Sequence, residues 1–478
     1  MLLDYNSSIR VYEKGAFIMD LKDLNNFYDE FSEYTELRVH ENSSTRISIV
    51  DGIVMTNSKT TCGGVNARVY MEGHWGFSSS STVSDEGIRR VIKEAKNNAE
   101  FLKSKDPNKE FEELKVTDYR FEKSFATKKS RKSQKELIDF GRTVYNHIKE
   151  TYSGLLSISV NITCDDTEKQ ILTSSKAYYY TLTPRSNVLV NLVVDRDGAP
   201  IQLSQNFGGL GQFEDKFDKP EDLYKEIDEL YKKLIEKKEG IYPEAGLKDV
   251  IIDSSIAGLF AHEAIGHTTE ADLVLGGSVA GYNLGKQVAS PLITLIDFAH
   301  TAYGETCPMP IYIDEEGTKG EDVVIIEDGV LKAFMHNKET ANMFGVNPTG
   351  NARATDYFDE PIIRMRNTCI APGNEKLEDM IASIEDGYYL VSATNGQADT
   401  TSEFMFGISF GYEIKHGKLG RAILDTTISG VAFEVLKSVT AVSDELKWSR
   451  GGWCGKKQTI KVGMGGPSIK CKVNIGGK

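Results

Sequence analysis

The sequence predicts an α+β fold in two parts: an N-terminal α+β domain over residues 1–240 and a C-terminal, mainly antiparallel β domain over 241–478 that carries one motif-bearing helix. Three observations carry this. Strand-patterned and helix-patterned blocks alternate up to about residue 240. The charged run Lys237-Lys238-Glu239-Gly240 then reads as a linker, and beyond it short β-rich segments between Gly and Asp turns dominate. A chain of 478 residues is also long for a single core.

Residues 21–31 read as a first helix. From 36 to 81, alternating segments (LRVH, RISIV, VMTNS, ARVYM, WGFSS) read as strands broken at Asn42-Ser43-Ser44, Asp51-Gly52 and Gly63-Gly64. Ser84 is an N-cap candidate for a helix over 85–103 whose stripe is Ile88, Val91, Ile92 and Ala95. Residues 105–132 are charged and weakly patterned, and a second helix follows over 134–151. Strands over 156–162, 170–174 and 178–194 precede a helix over 221–237. No internal sequence repeat is clear. In the second part a strand over 250–253 feeds the segment FAHEAIGHTTEAD at 260–272. Asp328-Gly329 marks a type I′ hairpin. Helices over 376–384 and 432–439 interrupt strands over 389–392, 403–415 and 419–427.

Composition limits the function classes. A net charge of −14 argues against a nucleic-acid surface. No apolar run reaches the length of a membrane span, and the opening MLLDYNSSIR lacks the apolar core of a signal peptide. Six cysteines without a C-x-x-C pair suggest a reducing cytoplasm, not a disulfide framework.

The chemistry concentrates at His262, Glu263 and His267. Two imidazoles are neutral nitrogen ligands, and a carboxylate beside them can take a proton from water on a metal, the composition of a hydrolytic zinc site. The spacing is i, i+5, which on an ideal α-helix places His267 roughly 140° round from His262. Both reach one ion only if the helix admits an extra residue, as a π-bulge does, or ends early. Gly266 makes either distortion easier. The bland alternative is a pair of satisfied core histidines. A catalytic zinc site wants a third protein ligand, and His300, His336 and Cys454 are the candidates. Cys454 lies in Arg450-Gly451-Gly452-Trp453-Cys454-Gly455-Lys456, where Lys456 would favour a thiolate; the alternative is a buried free thiol beside Trp453. Glu270 and Asp272 are either carboxylates that orient the histidines or surface acids past a helix end. The G-x-S-x-G around Ser409 sits among alternating Phe404, Phe406 and Ile408 with a strand after it, so it lacks the strand-turn-helix context of a serine nucleophile. That alternating strand is either plain core or the lining of a groove for an extended peptide.

Several stretches, in order, resemble the TldD/PmbA family of metallopeptidases: FAHEAIGHTTEAD, LGKQVASPLITLIDFAH, IEDGVLKAFMHNKETANMFGVNPTGNARA, PIIRMRNTCIAPG and WCGKKQTIKVGMGGPSIK. The likeness covers nearly all of the chain from about residue 248, and more loosely ARVYMEGHWGFSSS in the first part. It implies a two-domain protein whose C-terminal domain holds one Zn2+ and cleaves unfolded peptides. The TldD-like, catalytic members carry H-E-x-x-x-H, matching His262, Glu263 and His267, and a cysteine in C-G-K, matching Cys454. PmbA (TldE) members lack these ligands and act as non-catalytic partners. The chain is therefore expected to be a metallopeptidase with Glu263 as base, acting on peptide or unfolded protein, as a homodimer or a heterodimer with a PmbA-like chain. The rival expectation is a non-catalytic regulatory or partner subunit, with a serine hydrolase at Ser409 a distant third. Arg353 stands alone in Asn351-Ala352-Arg353-Ala354, where the family leads one to expect a more basic pair, and the SIKCKV ending also departs from it. The family has been labelled a modulator of DNA gyrase, a role the acidic charge does not support.

Overall fold

The computed structural model describes residues 23–476, so residues 21 and 22 of the first expected helix lie outside the described part. The rest of that helix is instead a 3-10 turn, Leu24–Glu30, capped by the Asp23 carboxylate. The first sheet comprises β1 (Tyr34–Val50), β2 (Ile53–Met71), β3 (His74–Ser80), β4 (Arg120–Ser124), β5 (Leu155–Thr173), β6 (Tyr178–Arg196) and β7 (Ala199–Leu210), with helices α1 (Asp85–Lys105) and α2 (Gln134–Thr151) between them. Its order is β3-β2-β1-β5-β6-β4, with β7 also on β6, and only β4 runs parallel to its neighbour.

Two of the expected turns are strand interior. Asn42 pairs with Cys62 and Glu41 with Gly63 in a β1–β2 ladder whose register holds from Tyr34 to Ser48, while β5 pairs with the other edge of β1. Ladder hydrogen bonds on both sides override local turn preference. Gly64 is needed for close approach, since a Cβ there would stand 2.4 Å from the Tyr357 ring and from the Ser80 carbonyl. β7 follows a turn at Asp197-Gly198, both at positive φ, and neither it nor β4 is legible from pattern.

Both helices start as their sequence dictates. Ser84 Oγ accepts from the Gly87 N–H at 3.1 Å, and Ser133 with Glu136 forms a capping box. Ile88, Val91, Ile92, Ala95 and Ala99 of α1 are buried against Leu37, Val39, Val65 and Ala67 of the sheet. Each of the larger side chains among them contributes about 1.5–3 kcal/mol.

The second part is built on two further seven-stranded sheets. In one, β8 (Gly246–Ile252) lies between Asp386–Ala398 and Ile469–Ile475; Thr426–Val431 and Glu403–Lys415 come next, and the last pairs back on Asp386–Ala398 to close a ring. The other runs through Val323–Glu327, Leu295–Phe298, Asn367–Ile370 and Gln458–Gly466, with Gly452–Lys456 folded onto the last as a hairpin. Asp328 and Gly329 both take positive φ, as a type I′ turn requires. The helix after β8 is packed between the two sheets, and its Ile256, Ala257 and Phe260 belong to a core shared by both.

The expected linker is the end of a helix, Tyr224–Lys238. Lys237 is buried and donates to the Asp425 carboxylate at 2.9 Å and to the Gln202 carbonyl at 3.1 Å. Phe410, Ala422 and Leu424 also complete a core formed mainly by the first sheet, so the two parts share a packed interface. Among the described residues no helix is long and apolar enough to cross a membrane.

Candidate metal centre

Asp253 caps the helix after β8 through the Ser255 N–H. It runs as α-helix over Ser254–Phe260, widens to a π turn over Ala261–Gly266, and closes with a 3-10 turn over His267–Thr269. The His267 N–H donates to the His262 carbonyl, an i to i−5 bond, which is the extra residue the motif spacing demanded. Both imidazoles therefore share a face, with ring centroids 5.2 Å apart. Gly266 is not there for unusual torsions, because its backbone is helical (φ −55°, ψ −52°). It is there for space: a Cβ would meet the Met365 sulfur at 1.9 Å.

The third member arrives from the other end of the chain. The hairpin of Gly452–Lys456 with Gln458–Gly466, turned at Lys457 with φ +57°, carries Cys454 to the helix. Ligand atoms of His262, His267 and Cys454 all lie within 4.8 Å of one another, and the Cys454 sulfur is 3.1 Å from His267 Nε2. Glu263 stands beside them, its Oε2 3.6 Å from His267 Nε2. Burial raises the Glu263 carboxyl above its ordinary range, against the pull of His267. Burial lowers His267, but the Glu270 carboxylate and the Cys454 sulfur outweigh it and push the ring up to about 10. A cation centred among the three donors would take the place of that proton.

Two fixtures hold this geometry. Glu270, fully buried, accepts from His267 Nδ1 at 3.1 Å and so turns Nε2 toward the cluster. Lys456 donates to Glu270 at 2.9 Å and to Asp272 at 2.8 Å, so its ammonium serves those carboxylates and not the thiol. Asp272 reaches Lys456, not a histidine. Arg364, wholly buried, donates to the carbonyls of Cys454 and Gln458, both at 2.7 Å, and anchors the hairpin. Arg353 is likewise buried and donates to the Met365 and Lys461 carbonyls. Arg364 does not stand out in the sequence by motif. Its one signal is an arginine inside the apolar stretch Pro361-Ile362-Ile363-Arg364-Met365-Arg366, where a buried guanidinium needs several acceptors.

The other candidates lie elsewhere. His300 stacks on Tyr312 and His336 contacts Thr340, and neither belongs to the cluster. Ser409 lies inside the extended strand Glu403–Lys415, with no nucleophile turn. Phe404, Phe406 and Ile408 are core, the two phenylalanines packed edge-on to Phe260 with centroids 5.0 and 6.2 Å away.

The donor set fits a borderline-soft cation such as zinc: two imidazoles and one sulfur. Both ring nitrogens of His262 are buried and find no hydrogen-bond partner among the described residues. Each such orphan costs roughly 1–3 kcal/mol, which a metal at one of them removes.

A His-His-Cys triad, buried at His262 and Cys454 and partly exposed at His267, with an adjacent carboxylate on a β-rich scaffold is the arrangement of a metal-dependent hydrolase. Comparison with known proteins agrees. Residues 245–477 match the profile of the PmbA/TldA metallopeptidase C-terminal domain, and residues 35–99 that of PmbA/TldA metallopeptidase domain 1. A metalloprotease of Methanocaldococcus jannaschii is 32% identical over 92% of this chain and 96% of its own length. A zinc metalloprotease TldD homolog of Saccharolobus solfataricus is 30% identical over 87% of this chain and 90% of its own. The chain belongs to the PmbA/TldD family of metallopeptidases. Its fold matches TldE from Thermococcus kodakarensis with a TM-score of 0.74 at 18% identity, covering 95% of this chain and 99% of that one. A Thermotoga maritima protein described as a candidate modulator of a DNA gyrase matches with a TM-score of 0.76 at 20% identity over 95% of this chain and 98% of its own.

Proposed function

We propose that the chain is the catalytic, TldD-like kind of metallopeptidase, that His262, His267 and Cys454 hold one zinc ion, and that it hydrolyses extended or unfolded peptides. The observation that carries this is the convergence of the three donor atoms within 4.8 Å beside Glu263, with both His262 nitrogens otherwise unpartnered among the described residues. Zinc held there would supply a Lewis acid, able to polarise a peptide carbonyl and to lower the pKa of water toward neutral. Glu263 takes the proton from that water at its carboxylate and delivers it to the departing amine; burial, by raising its basicity, suits it to both transfers. Glu270 holds His267 in one tautomer, with Nδ1 protonated and Nε2 free. Arg364 keeps Cys454 in place through its carbonyl.

A base beside the first ligand is of no use to a structural metal, which supports catalysis over a partner role. The six cysteines are all free, which supports a reducing cytoplasm. The division of the chain at 240/241 belongs to the same reading, as does pairing with a second copy or a TldE-like chain.

Metal content by mass spectrometry of the purified chain and of Cys454→Ser tests the reading. About one zinc per chain, sharply reduced in the variant, is expected. A wild-type chain that neither contains nor takes up zinc would overturn it.

A further inference from the structure

A second polar site lies between the two parts of the molecule, beside the Cys454 hairpin. It is a cleft of about 220 Å³, whose floor is β6. The period of two along that strand puts Tyr179, Thr181, Thr183 and Arg185 on one side, and Trp453, Ile460 and Ile311 form the facing wall. Tyr179, Ile311 and Ile460 are buried, while Trp453 is half exposed at the edge.

The charges of the cleft do not cancel. Asp165 is taken by Lys461 and Arg46, Glu315 by Lys169, and Asp166 by Arg131. Each of these carboxylates has its cation; the fourth lining carboxylate, Asp356, accepts from Asn42 and has no ion pair among the described residues, so it offsets one of the two arginines left over. Arg353 meets carbonyls only. Arg185 is 7% exposed, and its Nε and Nη2 find no hydrogen-bond partner among the described residues. A guanidinium offers five donors in a planar fork, and leaving two of its nitrogens buried without acceptors is costly. Burial and the neighbouring Arg353 pull Arg185 down to about 10, so it remains cationic at neutral pH. The cleft thus holds a surplus buried cation shaped for a planar, bidentate anion, against apolar walls.

We infer that this cleft binds a carboxylate carried on a small apolar body, with Arg185 as the anchoring residue. The chemistry fits the C-terminal residue of a short peptide with an aliphatic side chain, and equally a free branched organic acid. Phosphate esters fit less well, because among the described lining residues only Arg185 and Arg353 lack a carboxylate, and Asp356, which has no ion pair there, offsets one of them, leaving a single positive charge in excess. The site uses neither Glu263 nor the His-His-Cys cluster, so it stands or falls separately from hydrolysis.

The test is calorimetric titration of the full chain, stripped of metal by a chelator, with N-acetyl-alanyl-leucine, with its C-terminal amide, and with isovalerate. The acid is expected to bind at least tenfold more tightly than the amide, and Arg185→Gln is expected to erase that preference. Isovalerate binding as well as the peptide acid also supports the carboxylate site and names a free acid as its source. Equal affinity for acid and amide, binding seen only when metal is restored, or an undiminished preference in Arg185→Gln would overturn the inference. The acid–amide contrast is read on the unaltered chain, so a variant that fails to fold does not remove the test.

Discussion

Glu263 and Glu270 lie seven residues apart and have different work. Glu263 stands at the mouth of the donor cluster with its carboxyl raised by burial; Glu270 is sealed beneath it and held between His267 and Lys456. Glu263→Ala is expected to keep its zinc and to lose hydrolysis of an unstructured fluorogenic peptide by about 10²–10⁴-fold, the range for a general base. Parallel loss of metal would make it a ligand instead. Glu270→Gln leaves the donor set intact but weakens the acceptor that orients His267. Its metal affinity should fall by about 10–100-fold, measured by competition with a chromogenic chelator.

At the scale of the element, the π turn is what makes an i, i+5 motif usable. It is held open by packing: Gly266 lies against the sulfur of Met365, and Phe260 is wedged on Phe404 and Phe406. Gly266→Ala keeps helical torsions but places a methyl where the buried Met365 has no room. It should destabilise by about 1–3 kcal/mol, the cost of overpacking. In a denaturation cycle with Met365→Ala, the double variant should recover part of that loss, a coupling of about 0.5–3 kcal/mol. Simple additivity would mean that the two sites do not touch in solution.

For the whole molecule, the two parts are locked by buried charge. Lys338 donates to Glu36 at 3.0 Å and to Tyr34, and Arg68 donates to Glu36 at 3.0 Å and Glu316 at 2.9 Å while lying 4.0 Å over the Trp75 ring. Burial alone would discharge Lys338, but Glu36, Tyr34 and Glu316 outweigh it and keep it charged. Lys338→Met leaves Glu36 short of a partner and should cost about 3–5 kcal/mol in chemical denaturation. Acid should also destabilise the fold through His336, which burial lowers from its ordinary value to about 4. The ring is neutral in the fold and protonates in the unfolded chain below about pH 6.5, so its contribution is full above that value. As pH falls toward 4 it is lost, on the order of 3 kcal/mol. Urea midpoints at pH 7.5 and 5 should therefore differ less in His336→Gln than in the wild type. His40, lowered further by burial, keeps part of the dependence.

Local patterns were legible because their causes are local. Serine caps, apolar stripes and an Asp-Gly hairpin give away α1, α2 and the turn at Asp328 within a few residues. The His262-Glu263-His267 motif also demanded its own helix distortion, since two ligands on one helix must share a face. Other features were decided only by tertiary structure. Asn42 and Gly63 read as turns yet lie in paired strands, because partners on both sides of β1 supply hydrogen bonds that outweigh turn preference. Composition and spacing left His300, His336 and Cys454 open as the third donor until the family resemblance singled out Cys454. The fold brings Cys454 to His267 across 187 positions of sequence. The arginines that fix the hairpin and the uncompensated Arg185 were equally hidden, because a buried cation is defined by what surrounds it, and those surroundings come from distant strands. The sequence by itself determined α1, α2, the two-ligand motif and the reaction class expected from it. The third donor's position, the closing of the ring of strands and the cleft between the two parts required the chain to fold, since each depends on contacts between residues that no local pattern connects.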